Sequence, residues 1–237
     1  MTDLPPILSQ LRVPSLYIIH IPLCQLGNLD IYTETADRMS VPKSFRAHLG
    51  RVPSTVSLAD RDSILVIIDA QNEYAEGILK ISDETITYSR PNILTLLQRY
   101  RAAHAPVAHV VHVTPPGAPV FTPDTPLAEA FPELAPQLER TSPDAPDLDF
   151  EVLVPKRFPG SFAETILDDV VKRAGVKKVV LTGYMAHVCV STTAREAAQR
   201  GYDVVVVGGC GGGSGYTGGW GRGVGGDGGG SYEDGYD

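Results

Sequence analysis

Three residues of this 237-residue chain have side chains of the types nucleophilic acyl transfer uses: the thiol of Cys189, the carboxylate of Asp69 and the amine of Lys156. Cys189 lies in the run Leu181-Thr-Gly-Tyr-Met-Ala-His-Val-Cys-Val. Val179, Val180 and Leu181 read as a buried strand, and Gly183 breaks it. Cys189 then falls near the first turn of a segment whose alanines at 194, 197 and 198 have helical spacing. A thiol at such a turn is presented to solvent at the sheet edge. The positive helix end favours its thiolate, the nucleophilic form. An isolated cysteine is more often a small buried hydrophobe, so the weight of the reading falls on the other two segments.

Asp69 closes the apolar run Ser63-Ile-Leu-Val-Ile-Ile. An acid directly after a fully apolar strand lies at the carboxyl end of a central parallel strand, where open α/β sheets bind ligands. The competing reading is a helix cap or a turn aspartate. Lys156 follows a third apolar run, Phe150-Glu-Val-Leu-Val-Pro. Alone it would be a solvated surface charge. Beyond it, Ser161 with Glu164 three residues later predicts a capped helix through Ile166, Leu167 and Val170. An acid, a base and a thiol, each just past a different strand, converge at one sheet edge. Nucleophilic acyl transfer needs that geometry.

With these motifs in their order and separation, the chain resembles the isochorismatase-like cysteine hydrolases, a superfamily that includes nicotinamidases and N-carbamoyl amidohydrolases. The resemblance spans residues 40–207 and rests on Val-Ile-Ile-Asp69-Ala-Gln-Asn, Lys156-Arg-Phe-Pro-Gly-Ser-Phe and Thr182-Gly-Tyr-Met-Ala-His-Val-Cys-Val. It implies a catalytic triad of Asp69, Lys156 and Cys189. It also implies a cis peptide at Tyr184–Met185 and an oxyanion hole made by the backbone N–H groups of Met185 and Cys189. In the implied reaction Lys156 and the helix end lower the thiol's pKa, and Asp69 takes its proton. The thiolate attacks a carbonyl, Asp69 protonates the leaving nitrogen, and water hydrolyses the thioester.

Departures from the family pattern narrow the reading. Nicotinamidases carry an Asp-x-His metal pair after the second strand, whereas the aligned positions here are His112 and Thr114. Neither is an acid, so no metal site and no cofactor are expected. His109 and His112 are three apart, which in a strand puts them on opposite faces. Each reads as a satisfied strand histidine, with His112 the one able to reach the pocket. True isochorismatases lack the nucleophilic cysteine, so its presence favours an amide or related carbonyl substrate. Candidate substrate contacts are Gln71, Tyr74, Phe158, Phe162, Tyr184 and His187, with Gln71 also placed to orient Asp69. The proline-rich insertion at 115–146, with a helical candidate from Leu127 to Leu138, reads as a lid or oligomer contact from which Phe121 covers the site.

The remaining elements predict a three-layer, doubly wound α/β domain with a mostly parallel sheet. One helix is expected to open at Ser89-Arg-Pro91, with Ile93, Leu94, Leu96, Leu97 and Tyr100 as its apolar stripe. Val204–Val207 forms the next strand. Residues 39–207 make the hydrolase domain. Residues 1–38 are a poorly ordered extension ahead of Met39, which reads like a native start. Residues 208–237 are a glycine-rich tail expected to be disordered. Relatives continue there with further elements, so a sheet face and a strand edge should be left uncovered. The tail reads as an artefact of the gene model or as a real truncated form.

A net charge of −8 makes nucleic acid and anionic membranes poor partners. Three cysteines without framework spacing suit the reducing cytoplasm. The expected partner is a small-molecule substrate, with homo-oligomerisation where the C-terminal region permits. Three functions stay open: a metal-independent cysteine amidohydrolase, an isochorismatase-type hydrolase of a non-amide substrate, and an inactive relative that binds without turnover.

Overall fold

A computed structural model of the chain describes residues 16–20, 55–138 and 149–212, with side chains described at 55–138 and 149–208. Six strands form one sheet: β1 (Leu16–His20), β2 (Ser63–Ile68), β3 (Val107–His112), β4 (Glu151–Lys156), β5 (Lys178–Tyr184) and β6 (Asp203–Gly212). Their order is β1-β6-β5-β2-β3-β4, and every pairing is parallel. β2 is buried along its whole length between β5 and β3. The near-continuous apolar run Ile64–Ile68 is what a strand covered on both faces requires. Its residues alternate between two cores. Leu65 and Ile67 pack with Ile93, Leu97 and Tyr100 on one face, while Ile64, Val66 and Ile68 pack with Leu167, Val171, Ala194 and Ala197 on the other. The helices are α1 (Glu73–Glu76), α2 (Asp83–Ala102), α3 (Leu167–Arg173) and α4 (Ser191–Gln199). The expected three-layer, doubly wound architecture is what the chain adopts.

Several local expectations are corrected. α2 starts two turns before Ser89, capped by Ser82, whose Oγ accepts the Thr85 N–H at 3.2 Å. Pro91 lies inside the helix rather than in its first turn. An interior proline costs about 3 kcal/mol, and the buried stripe of Ile86, Ile93, Leu96, Leu97 and Tyr100 outweighs it. Ser161 caps no helix. α3 begins only at Leu167, and Glu164 adopts a left-handed φ of 53° instead of a first-turn conformation. Within the insertion, the predicted helix is replaced by two 3₁₀ turns, Pro126–Ala128 and Pro132–Leu134. Prolines at 126, 132 and 136 deny an α-helix the donors it needs.

At the ends, β6 continues past Val207 into the glycines as far as Gly212. The edge expected to be open is paired, since Leu16–His20 lies parallel to Val204–Gly208. The extension thus contributes a strand. Its other residues, and those beyond Gly212, lie outside the described residues. The opposite edge is β4, where Pro155 lacks a donor and is exposed, the position a strand proline tolerates.

One backbone contact decides whether β5 can reach β2. Gly183 has φ +121°, and a Cβ there would lie 1.9 Å from the Ile68 carbonyl oxygen. Gly117 also has a positive φ, +81°, but nothing within 4 Å of the added carbon. Gly183→Ala should therefore lose at least about 3 kcal/mol of stability and Gly117→Ala about 1 kcal/mol. Thermal melts followed by circular dichroism check this, and equal melting temperatures for the two variants would refute it.

Candidate active site

Asp69, Lys156 and Cys189 come together beyond the carboxyl ends of β2, β4 and β5. Lys156 Nζ lies 2.8 Å from Asp69 Oδ2 and 3.4 Å from Cys189 Sγ, and it donates to the Phe158 carbonyl at 3.1 Å. Asp69 and Lys156 have no exposed side-chain surface, and Cys189 is 6% exposed. Asp69 adopts a left-handed φ of 50°, a conformation costing about 1–3 kcal/mol in a non-glycine residue. Its N–H bonds the Val110 carbonyl and its own carbonyl accepts the Gln71 N–H, both at 2.8 Å. These bonds turn the chain sharply at the strand end and aim the carboxylate at Lys156. The Tyr184–Met185 peptide is cis, as the resemblance implied.

The thiol differs from expectation. Cys189 sits within a π-helical turn, Ala186–Val190, ahead of α4, and is buried. That turn runs directly into α4, whose first N–H, of Ser191, already bonds the Ala186 carbonyl, so the start of α4 is not an open helix end beside the sulfur. Burial pushes the thiol up to about 12, the Asp69 charge adds to the rise, and Lys156 opposes it. Burial likewise raises Asp69 from 3.8 to about 6, against the pull of Lys156 and the neighbouring thiol. One cation thus serves two potential anions. At rest Asp69 takes the ion pair and the sulfur keeps its proton. Among the described residues, no well-directed hydrogen bond reaches either Asp69 oxygen, and the groups facing the carboxylate are Lys156 and the thiol itself.

Support comes from residues the sequence did not single out. Thr193 Oγ1 donates to the Cys189 carbonyl at 2.7 Å and accepts the Ser161 N–H at 3.1 Å, with Ser161 Oγ 2.8 Å away. Glu196 accepts the Phe162 N–H at 3.0 Å. One face of α4 thereby ties the loop after Lys156 to the cysteine turn. Glu73, fully buried, accepts the Leu79 and Phe121 N–H groups, each at 3.0 Å. This seats the Phe121 ring against Tyr74 and His112, with centroid separations of 5.4 and 4.9 Å. The bonds from Thr193 to Ser161, from Glu196 to Phe162 and from Glu73 to Phe121 join segments remote in sequence, so spacing carries no mark of them.

The predicted substrate contacts divide. Tyr74 is buried beside the triad. Burial, then Asp69, Cys189 and Glu73, hold its hydroxyl well above the usual tyrosine range, so it stays a donor within reach of the sulfur. Gln71 touches Asp69 through its backbone N–H, while its side chain bonds elsewhere. The side-chain amide accepts the His112 N–H at 2.8 Å and donates to the His112 and Ala128 carbonyls, locking β3 to the insertion. Tyr184 points into the core, where its hydroxyl meets Ser89 Oγ at 2.6 Å. Phe162 is buried and stacks on Tyr202 at 6.0 Å. Phe158 and His187 are exposed.

His109 is the satisfied strand histidine, 2.9 Å from the buried Glu151, which Arg101 also pairs at 2.7 Å. His112 faces the site, with Nδ1 3.2 Å from Lys156 Nζ. Among the described residues, no three His, Cys, Asp or Glu side chains cluster as a metal would need.

These charges predict a titration order. Iodoacetamide should label Cys189 slowly at neutral pH and faster as pH rises. Asp69→Asn removes an anion and should shift the profile to lower pH, whereas Lys156→Met removes the cation and should shift it higher. Peptide mass mapping of labelling rates reads both. A wild-type profile centred below about 7.5, under the free-cysteine reference of about 8.5, would contradict the charge balance.

A profile of the Isochorismatase domain matches residues 63–217. The secreted isochorismatase effector Isc1 of Verticillium dahliae is 58% identical over 163 residues, 69% of this chain and 78% of that protein. The ureidoacrylate amidohydrolase RutB of Klebsiella pneumoniae is 27% identical over 61% of this chain and 70% of its own. The crystal structure of an isochorismatase from Pseudomonas putida KT2440 superposes with a TM-score of 0.62 at 31% identity, covering 72% of this chain and 80% of that one. The cytoplasmic expectation thus meets a relative named as secreted. No described helix is long and apolar enough to cross a membrane. By the matched domain, the shared fold and the identity to these relatives, the chain belongs to the isochorismatase-like hydrolase family.

Proposed function

We propose that the protein is a cysteine hydrolase that cleaves an amide or related C–N bond of a small molecule through a thioester. The observation that carries this reading is Lys156 Nζ standing between Asp69 at 2.8 Å and Cys189 at 3.4 Å in a buried site. Asp69 takes the thiol proton as sulfur attacks the carbonyl carbon, and Lys156 stabilises the sulfur's developing charge. The backbone N–H groups of Met185 and Cys189 receive the oxyanion. On collapse the C–N bond breaks and Asp69 returns the proton to nitrogen. It then deprotonates the water that attacks the thioester, and the thiol leaves with its proton restored. The raised Asp69, near 6, suits a group that must both take and give a proton close to neutrality.

A second reading is favoured by the 58% identity to a protein named as an isochorismatase effector. In vinyl-ether hydrolysis, an acid protonates the enol carbon and water adds to the resulting oxocarbenium ion. Asp69 can serve as that acid, and no thiol is needed.

The two readings separate on one variant. Ammonia release from a panel of small amides should fall at least about a thousandfold in Cys189→Ala and nearly as far in Asp69→Asn. Isochorismate cleavage in Cys189→Ala should stay close to wild type if vinyl-ether chemistry is the activity. Wild-type ammonia release from Cys189→Ala would refute the thioester route. A folded wild type with neither activity would point to a binding protein.

A further inference from the structure

We propose that His112 is a substrate-recognition residue, a neutral imidazole that offers its Nε2–H to a second carbonyl oxygen beside the C–N bond being cleaved. The proposal rests on the amidohydrolase reading and specifies its substrate class: small, neutral, and carrying a hydrogen-bond acceptor besides the reacting carbonyl.

Register places the residue. His112 of β3 and Lys156 of β4 are partners across the parallel ladder, so their side chains leave the sheet on the same side. Lys156 Nζ stands 3.2 Å from His112 Nδ1. An ammonium has no lone pair, so Nδ1 must accept, and a neutral ring that accepts at Nδ1 carries its proton on Nε2. Burial, then the Lys156 charge, lowers the imidazole from 6.5 to about 4, which keeps it neutral at physiological pH.

The ring is also held still. Gln71 pins the backbone N–H and carbonyl of His112 at 2.8 and 3.0 Å, and Phe121 lies against the ring at 4.9 Å. Phe121 is itself seated by Glu73 and has a left-handed φ of 46°. Nδ1 is therefore committed while Nε2 bonds no described residue, on a half-buried side chain one residue contact from the nucleophile. A positioned donor of this kind selects for an acceptor. Among the described residues, the charge that acts on the ring is that of Lys156, and the groups next along are Asp69 and Cys189, which Lys156 contacts. Lys156 is the one cation among them and is paired with Asp69. With that cation already paired, and no other charge from the described residues acting on the ring, an amide, ureido or imide oxygen fits better than a carboxylate.

The test uses succinamide, which has a second neutral carbonyl, and butyramide, which lacks it. Nitrogen-15-labelled histidine in full-length Cys189→Ala reports the His112 tautomer and its response to each amide by NMR. In parallel, ammonia release is measured for wild type and for His112→Phe, which keeps a ring against Phe121. The expected result is an Nε2–H tautomer whose resonance shifts with succinamide and not with butyramide. The kcat/KM ratio of the two amides should be about tenfold in wild type, falling towards one in His112→Phe. An Nδ1–H tautomer, or a ratio unaltered by His112→Phe, would overturn the proposal. Ammonia release without a His112 shift would overturn it and leave the hydrolase reading standing. A shift without ammonia release would support His112 as a binding group and overturn the cleavage reading. Neither shift nor release would overturn both.

Discussion

A single ammonium, Lys156, buried between a carboxylate and a thiol is the constraint around which the rest of the structure is arranged. Removing both charges of an ion pair from water costs several kcal/mol per ion, and such pairs seldom stabilise a fold beyond what apolar residues of the same size would. The pair is thus better understood as chemistry that the fold supports than as a source of stability. With one cation shared between two groups that can ionise, burial and the Asp69 charge favour the protonated sulfur. On the proposed reading, the thiol gives its proton to Asp69 only as a carbonyl carbon is attacked.

Holding that arrangement takes contributions from every layer. β2 supplies a rigid strand buried on both faces, and Asp69 leaves it through a strained turn. β5 can approach β2 closely only because residue 183 has no side chain. α4 links the cysteine turn to the loop after Lys156 through Thr193 and Glu196. The insertion is stitched to the end of β2 by Gln71, by the Asn72 bonds to Glu129 and Pro126, and by the Phe131 N–H to the Ala70 carbonyl. Arg90 adds a bidentate pair with Glu133 at 2.6 and 2.7 Å. Phe121 therefore reaches the site from a segment anchored at several points.

Much of this was legible in the chain, and the reasons differ by level. Strand runs such as Ser63–Ile68 announce themselves because a parallel strand must be apolar on both faces. The three candidate residues could be found because each follows a strand run. Boundaries were harder. Ser89-Arg-Pro91 has the local chemistry of a helix start, yet tertiary packing along the stripe from Ile86 to Tyr100 carries α2 through the proline. Ser161 looks like a cap and is a tether, because Thr193, remote in sequence, competes for its groups. The upward push on the thiol is hidden from the sequence for a related reason. A helix start was visible in the sequence, but the depth of Cys189 and the nearness of Asp69 belong to the assembled fold. The Leu16–His20 strand lay outside the expected domain because its partner, β6, is at the far end of the chain.

The most direct test of the central claim is mass spectrometry of the Cys189 peptide after rapid acid quench of wild type turning over a small amide. The account predicts an adduct on Cys189 with the mass of the substrate less its leaving amine, absent when Cys189 is replaced by alanine. Turnover with the Cys189 thiol unmodified at every quench time, and undiminished in the alanine variant, would contradict it.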